Sequence, residues 1–265
     1  MKKYFLIIFS VIIIAAFLPS CSNSSTDKAA MNLLDDALEK NSSANSYTVH
    51  YITDTVNKVS DKESAFTSDM TTKIEGLKNE SIKMFINLEY KGNMYFGDIL
   101  RDFNETSMSV YSDGFEYFLG TNGKRAMTDE EARKRAVNYS GMGFGEKACH
   151  YENVEKAENP DGGWIITCTG PNDNGRTEWL DSLCNIFKID IIENDAKIES
   201  VKDIFRIGAD GYVISVERKY LFSYVQNDEV VSYDVKSSLT FSDFDVTTVS
   251  VPENSAEYSR IDIYS

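Results

Sequence analysis

The sequence predicts an α+β fold organised on one long, twisted antiparallel sheet. Three observations carry that expectation. Many stretches alternate apolar and polar residues with a period of two, which gives a sheet one dry and one wet face. Asp113-Gly114, Asp210-Gly211 and Asn227-Asp228 stand between such stretches as hairpin turns. Only three segments, at 27–40, 128–138 and after Gly175, keep helical signals instead.

The chain opens with Lys2 and Lys3, then an apolar run from Phe5 to Leu18. That run is shorter than the ~20 residues a membrane-spanning helix needs, and with its basic start it fits a secretory signal. Leu18-Pro19-Ser20-Cys21 follows, and it resembles the lipobox of bacterial lipoproteins, with Pro19 an unusual occupant of its slot. The resemblance implies cleavage after residue 20 and acylation of Cys21, which becomes the first residue of the mature chain. Two or three acyl chains hold a protein firmly where one does not. The alternative is an uncleaved apolar anchor. Ser22 to Thr26 is small and polar and reads as a flexible tether. The predicted layout is therefore a signal at 1–20, a lipidated tether at 21–29 and one sheet domain at 30–265. The bilayer is the first expected partner, on the outer face of a single membrane or the periplasmic or outer-membrane side of a double one.

The formal charge is −15, and removal of residues 1–20 takes away two lysines and no acids. So acidic a domain is a poor binder of nucleic acid or of anionic lipid. Cys149, Cys168 and Cys184 remain after Cys21, leaving at least one unpaired. A turn at Pro160-Asp-Gly-Gly163 puts Glu155 opposite Cys168 and keeps Cys149 out of disulfide reach. A Cys168–Cys184 bridge stays open beside the favoured reading of buried thiols.

Taken in order, residues 27–40 form the first helix, with Asp27 as N-cap and Met31, Leu34 and Leu38 on its apolar face. Asn41 to Ser46 ends it. Tyr47, Val49 and Tyr51 begin a strand, Phe66 to Ile74 gives the next, and Ile82, Met84, Ile86, Leu88 and Tyr90 mark a third. A two-residue loop at Asp113-Gly114 pairs Val110 with Tyr117 and Met108 with Leu119. Asn122-Gly123 turns another hairpin, and Thr128 with Glu131 forms a capping box for a short helix to about Asn138. The loop Ser140 to Gly145 lacks the flanking strand and helix of a phosphate cradle. Strands follow at 149–157 and 164–169, and Asn172 to Gly175 turns the chain. The third helix puts Trp179, Leu180, Leu183, Cys184, Ile186 and Phe187 on one stripe. Residues 188–202 are ambiguous between helix and strand. Asp210-Gly211 then sets Ile207 against Ile214 and Phe205 against Val216. Asn227-Asp228 sets Tyr224 against Val231, Phe222 against Tyr233 and Tyr220 against Val235.

Two stretches look like parts of the LolA/LolB lipoprotein-carrier superfamily, whose members include surface lipoproteins of the LppX type. Val110-Tyr-Ser-Asp-Gly-Phe-Glu-Tyr-Phe118 is similar to the family's strand–turn–strand hairpin. Gly211 to Val216, with Leu239-Thr-Phe-Ser-Asp-Phe-Asp245 and Val251-Pro-Glu253, is similar to its closing hairpin and tail. The resemblance implies an unclosed β-barrel curled around helices on its concave face, with an apolar cavity for acyl chains. It implies no catalytic residues. The chain's own acylation departs from the soluble carriers of the family and speaks against shuttling between membranes.

No catalytic constellation can be assembled. Cys149 and His150 are adjacent and, on a strand, point to opposite faces. Asn172-Asp-Asn-Gly175 lacks the spaced ligands and final Glu of a calcium loop, and no metal or cofactor spacing is present. The expected function is a membrane-anchored binder or sensor of a hydrophobic ligand, and not an enzyme. Candidate cavity-lining residues are Ile82, Met84, Ile86, Leu88, Tyr90, Tyr220, Phe222 and Tyr224, for which ordinary core packing is the alternative. The competing function is a protein-interaction module that uses its acidic surface or a sheet edge.

Overall fold

The computed structural model describes residues 27–260 apart from 79–80, 97–98, 104–105, 120–122, 139–146, 188–189 and 254. The signal, Cys21, the tether residues 22–26, Asn122 and the Ser140–Gly145 loop lie outside the described residues. No described helix is long and apolar enough to cross a membrane.

The fold is a long curved sheet, an unclosed barrel, with helices packed against it. Its strands are β1 (Ser46–Val59), β2 (Lys62–Glu75), β3 (Lys83–Phe96), β4 (Ile99–Asp102), β5 (Thr106–Ser112), β6 (Phe115–Phe118) and β7 (Gly123–Ala126). They continue with β8 (Tyr151–Glu158), β9 (Trp164–Pro171), β10 (Lys197–Ile207), β11 (Val213–Gln226), β12 (Glu229–Ser242) and β13 (Ser259–Arg260). The helices are α1 (Lys28–Ser42), α2 (Asp129–Asn138) and α3 (Asp173–Phe187). The spatial order is β13-β7-β6-β5-β3-β2-β1-β12-β11-β10-β9-β8, with β4 added on β3. Every pair is antiparallel except β13 with β7. The end strands β13 and β8 do not meet, so the barrel stays open.

The dry face follows the alternation. Ile74, Met84, Ile86, Phe222, Leu239 and Phe241 are buried in one cluster with Leu34 of α1 and Trp179 and Leu183 of α3. Asp27 caps α1 by accepting the Ala29 N–H at 2.9 Å. Its buried face is centred on Ala30, Leu34, Ala37 and Asn41, with Met31, Leu33 and Leu38 flanking. Asn41, expected in the terminating turn, is thus a buried helix residue. It donates to the Val213 carbonyl at 2.9 Å and accepts the Val213 N–H at 2.8 Å.

Thr128 and Glu131 form the expected capping box. The Thr128 hydroxyl accepts the Glu131 N–H at 3.2 Å and Glu131 accepts the Thr128 N–H at 2.8 Å. The Asn227-Asp228 hairpin also has the expected register, since both residues take the positive φ of a two-residue turn.

Three registers differ from expectation by one residue. At Asp113-Gly114, Ser112 pairs with Glu116, Tyr111 with Tyr117 and Val110 with Phe118. Gly114 at φ 96° leaves three residues in the loop instead of two. Tyr111 and Tyr117 consequently share a second, smaller core, and Glu116 is buried, with Arg125 donating to it at 2.5 Å and Arg135 also paired with it. At the 160–163 turn, Val154 and not Glu155 faces Cys168. A bulge between Arg206 and Ile207 sets Ile207 against Val213, while Phe205 meets Val216 as expected. The ambiguous 188–202 segment resolves in its described part into turns over 191–195 and the start of β10.

Two local readings are corrected. Cys149 and His150 lie in a short 3₁₀ turn, Ala148–His150, ahead of β8 and not on it. Asn172-Asp-Asn-Gly175 is not a free turn but the start of α3: Asn172 Oδ1 accepts the Gly175 N–H at 3.0 Å. Among the described residues Cys149, Cys168 and Cys184 form no disulfide, and Cys168 and Cys184 are buried.

Candidate functional site

The concave face is built from alternate residues of the central strands. On β2 the inward set includes Phe66, Met70 and Ile74; on β3 it includes Met84, Ile86, Leu88 and Tyr90. Residues nearest the helices are fully buried. Towards the β1–β2 and β11–β12 turns Val59, Tyr224, Val231 and Tyr233 are buried, but midway along the face burial is incomplete. Tyr51, Phe66, Tyr90, Phe103 and Tyr220 are only half-buried there.

These half-buried rings are not scattered. Phe66 stacks on Tyr90 at 5.3 Å, and Phe103 packs edge-on to Phe66 at 5.2 Å. Gly92 makes that cluster possible. Its φ is 102°, and a Cβ there would lie 2.2 Å from the Ala65 carbonyl oxygen. Here β3 changes partner, pairing with β5 up to Tyr90 and with β4 from Asn93. Beyond the bend, the Tyr95 N–H points to the Asn57 side chain of β1 and the Ser64 hydroxyl of β2, both at 3.3 Å, so the β3–β4 hairpin folds inward across β2.

On the other side of the face, Trp179, Leu183, Ile198, Arg218 and Tyr220 line a half-open cavity of about 10 Å³ between α3 and the sheet, room for roughly one water. Beneath it lies a buried ion pair. Arg218 Nε donates to Asp203 Oδ1 at 3.0 Å and its Nη2 to Oδ2 at 2.8 Å, while the Tyr151 hydroxyl donates to Oδ2 at 2.5 Å. Arg218 also sits 6.0 Å from the Trp179 ring centre. Burial, with the Asp203 carboxylate second, pushes the Tyr151 hydroxyl well above its ordinary range. Burial does the same to Tyr220 and to the Cys168 thiol, so neither is a ready nucleophile.

Of the eight residues named from the sequence, Tyr220 borders this cavity. Ile82, Met84, Ile86, Leu88, Phe222 and Tyr224 are buried in the main core, and Tyr90 belongs to the open aromatic cluster. The sequence reading missed Phe66, Phe103 and Arg218 as members of the site. In the sequence Phe66 is only one strand's apolar residue, and Arg218 stands at an inward position of β11 where a charge breaks the alternation. That break is the signal that could have found it. Among the described residues no three His, Cys, Asp or Glu side chains gather as a metal site.

No family model matches the chain, and no curated protein matches it. Among solved structures it is similar to LprF from Mycobacterium bovis, with 9% identity and a TM-score of 0.41 over 87% of this chain and 99% of that one. It is similar to lipovitellin, described in a study of its lipid–protein interactions, at 11% identity and a TM-score of 0.34 over 78% of this chain; the match spans only 26% of lipovitellin. A lipoprotein-sorting protein domain from Vibrio parahaemolyticus gives 12% identity and a TM-score of 0.22 over 85% of this chain and 96% of that one.

Proposed function

We propose that this chain is an exported lipoprotein, anchored through Cys21, that binds a hydrophobic ligand on the concave face of its open barrel and catalyses no reaction. The observation that carries the ligand reading is the half-buried aromatic cluster of Phe66, Tyr90 and Phe103 beside a fully buried core. Aromatic surface left half-wet inside a concavity is what an apolar ligand would cover. The half-open cavity under α3 is too small for an acyl chain, so the ligand lies along the concave face from this cluster to Tyr51 and Tyr220. The lipobox-like Leu18-Pro19-Ser20-Cys21 supports the anchor and an envelope location.

The competing role, partner binding through a sheet edge, is disfavoured at one edge by its chemistry. Edge strand β8 exposes Glu152, Glu155, Lys156 and Glu158, the charges that discourage strand addition.

Residues 27–265, purified without the anchor, provide the test. Native mass spectrometry and solvent extraction should recover bound lipid, and a fluorescent fatty acid should be displaced by it. Phe66→Asp should abolish that binding, with circular dichroism showing that the variant still folds. A lipid-free protein that ignores the fatty acid would remove the ligand reading. Cys21→Ser tests the anchor separately, by loss of membrane fractionation.

A further inference from the structure

The most exposed large apolar side chains among the described residues are unevenly placed. Ile99 (64% exposed), Leu100, Ile192 (90%) and Val230 sit at the end of the sheet that holds the β1–β2 and β11–β12 turns, on the β3–β4 hairpin, the loop before β10 and the β11–β12 hairpin. The registers place them at one end of the sheet. Ile99 pairs with Phe96, Val230 with Val225, and the Val225 N–H donates to Asn194, two residues from Ile192. Val246 and Val251 lie at the other end, beyond the end of β12. Nothing in the core needs these four rim residues, and each leaves apolar surface in water at a cost of ~25 cal/mol per Å².

Helix α1 shows which way the N-terminus leaves. At its C-terminal end Asn41 grips Val213, which faces Ile207. At its start the Asp27 N–H reaches the Val154 carbonyl, which lies in register with Cys168 and Asp203. Traced backwards, α1 therefore climbs towards the rim by the stretch from Ile207 to Asp203. From Asp203 to the top of β10 at Lys197 is ~20 Å of strand. From Asp27 to Cys21 is six residues, which reach at most ~20 Å. An anchored Cys21 thus requires a bilayer surface within one tether length of Asp27, and the rim is at that distance in the direction α1 points. The alternative contact, edge strand β8, presents charges.

We propose that Ile99, Leu100, Ile192 and Val230 form a second membrane contact, which seats this end of the sheet on the bilayer that holds Cys21. This rests on the anchor reading above. The partner surface is zwitterionic lipid, since the acidic chain gains nothing from an anionic one.

The test uses the full acylated chain in phosphatidylcholine vesicles, with and without brominated acyl chains. Tryptophan is introduced as Ile99→Trp, as Val230→Trp, and as Val246→Trp for the opposite end, each read as the emission added over the unsubstituted protein. The expected result is co-flotation of all three with vesicles and loss of the added emission to bromine for the two rim variants only. Flotation with no loss at either rim position overturns the rim contact and leaves the anchor standing. Equal loss at Val246→Trp also overturns it, by showing no preferred end. Failure of the unsubstituted chain to float overturns the anchor, and the rim proposal with it. Two rim positions guard against one variant failing to fold.

Discussion

Asn41 and Val213, separated by 172 residues, exchange two hydrogen bonds, so that one buried side chain joins the end of α1 to the start of β11. The carboxamide supplies what the backbone of a strand end needs: one acceptor and one donor. Around it Lys40 donates to the Asp210 carbonyl and lies 4.4 Å from the Tyr212 ring centre.

Asn41→Leu should therefore destabilise the protein by about 3 kcal/mol, because two buried backbone groups of Val213 lose their partners. Asn41→Asp should not rescue it, since a carboxylate would face the Val213 carbonyl. Urea unfolding followed by circular dichroism measures both.

Arg218→Met should cost about 3–5 kcal/mol by leaving the Asp203 carboxylate buried without its partner. The double variant Asp203→Leu with Arg218→Met should recover most of that loss, because the desolvation of both charges disappears together. If the double variant is as unstable as the single one, the pair's role is packing against Trp179 and not charge balance.

Gly175→Ala should destabilise, against the ~1 kcal/mol that helix propensity alone would return. A Cβ at Gly175 would sit 2.1 Å from the His150 carbonyl oxygen, which is backbone and cannot swing aside. Thermal unfolding gives the sign directly.

Asp245 is held below the ordinary aspartate value of 3.8, first by the Asn45 N–H, which it accepts at 2.6 Å, and further by the Tyr212 hydroxyl. A carboxylate with a lowered folded value adds stability above its unfolded value and loses it as pH falls through the folded one. Asp245→Asn, which keeps tolerance of the φ of 60°, should thus be less stable than the parent at neutral pH. The difference should shrink below pH 3.8. Denaturant midpoints measured from pH 7 to pH 2 check this.

Much of the fold was legible because local chemistry decided it. Asn227-Asp228 has residues that accept positive φ at both turn positions, and with them the whole β11–β12 register followed. Asp113-Gly114 looked equivalent and was not, because a single left-handed glycine makes a three-residue loop and shifts every partner by one. Asn41 was misjudged for a different reason: an apolar stripe cannot reveal a polar residue whose partner lies 172 positions away. The site was less legible still. Phe66, Phe103 and Tyr90 come together only because Gly92 bends β3, and Trp179 meets Arg218 only across a helix–sheet packing.

The first strand of this protein is not at an edge but in the middle. β1 pairs on one side with β2, which follows at once, and on the other with β12, from Thr48 against Ser242 to Val59 against Val231. A chain made from its N-terminus can form the β1–β2–β3 meander early, but the partner for the second flank of β1 arrives last. Until then Tyr47, Val49 and Tyr51 stand on a strand with one bare flank, an invitation to wrong pairing. Folding should be slow for so non-local a seam, and truncation before β12 should yield an aggregating chain rather than a smaller folded one.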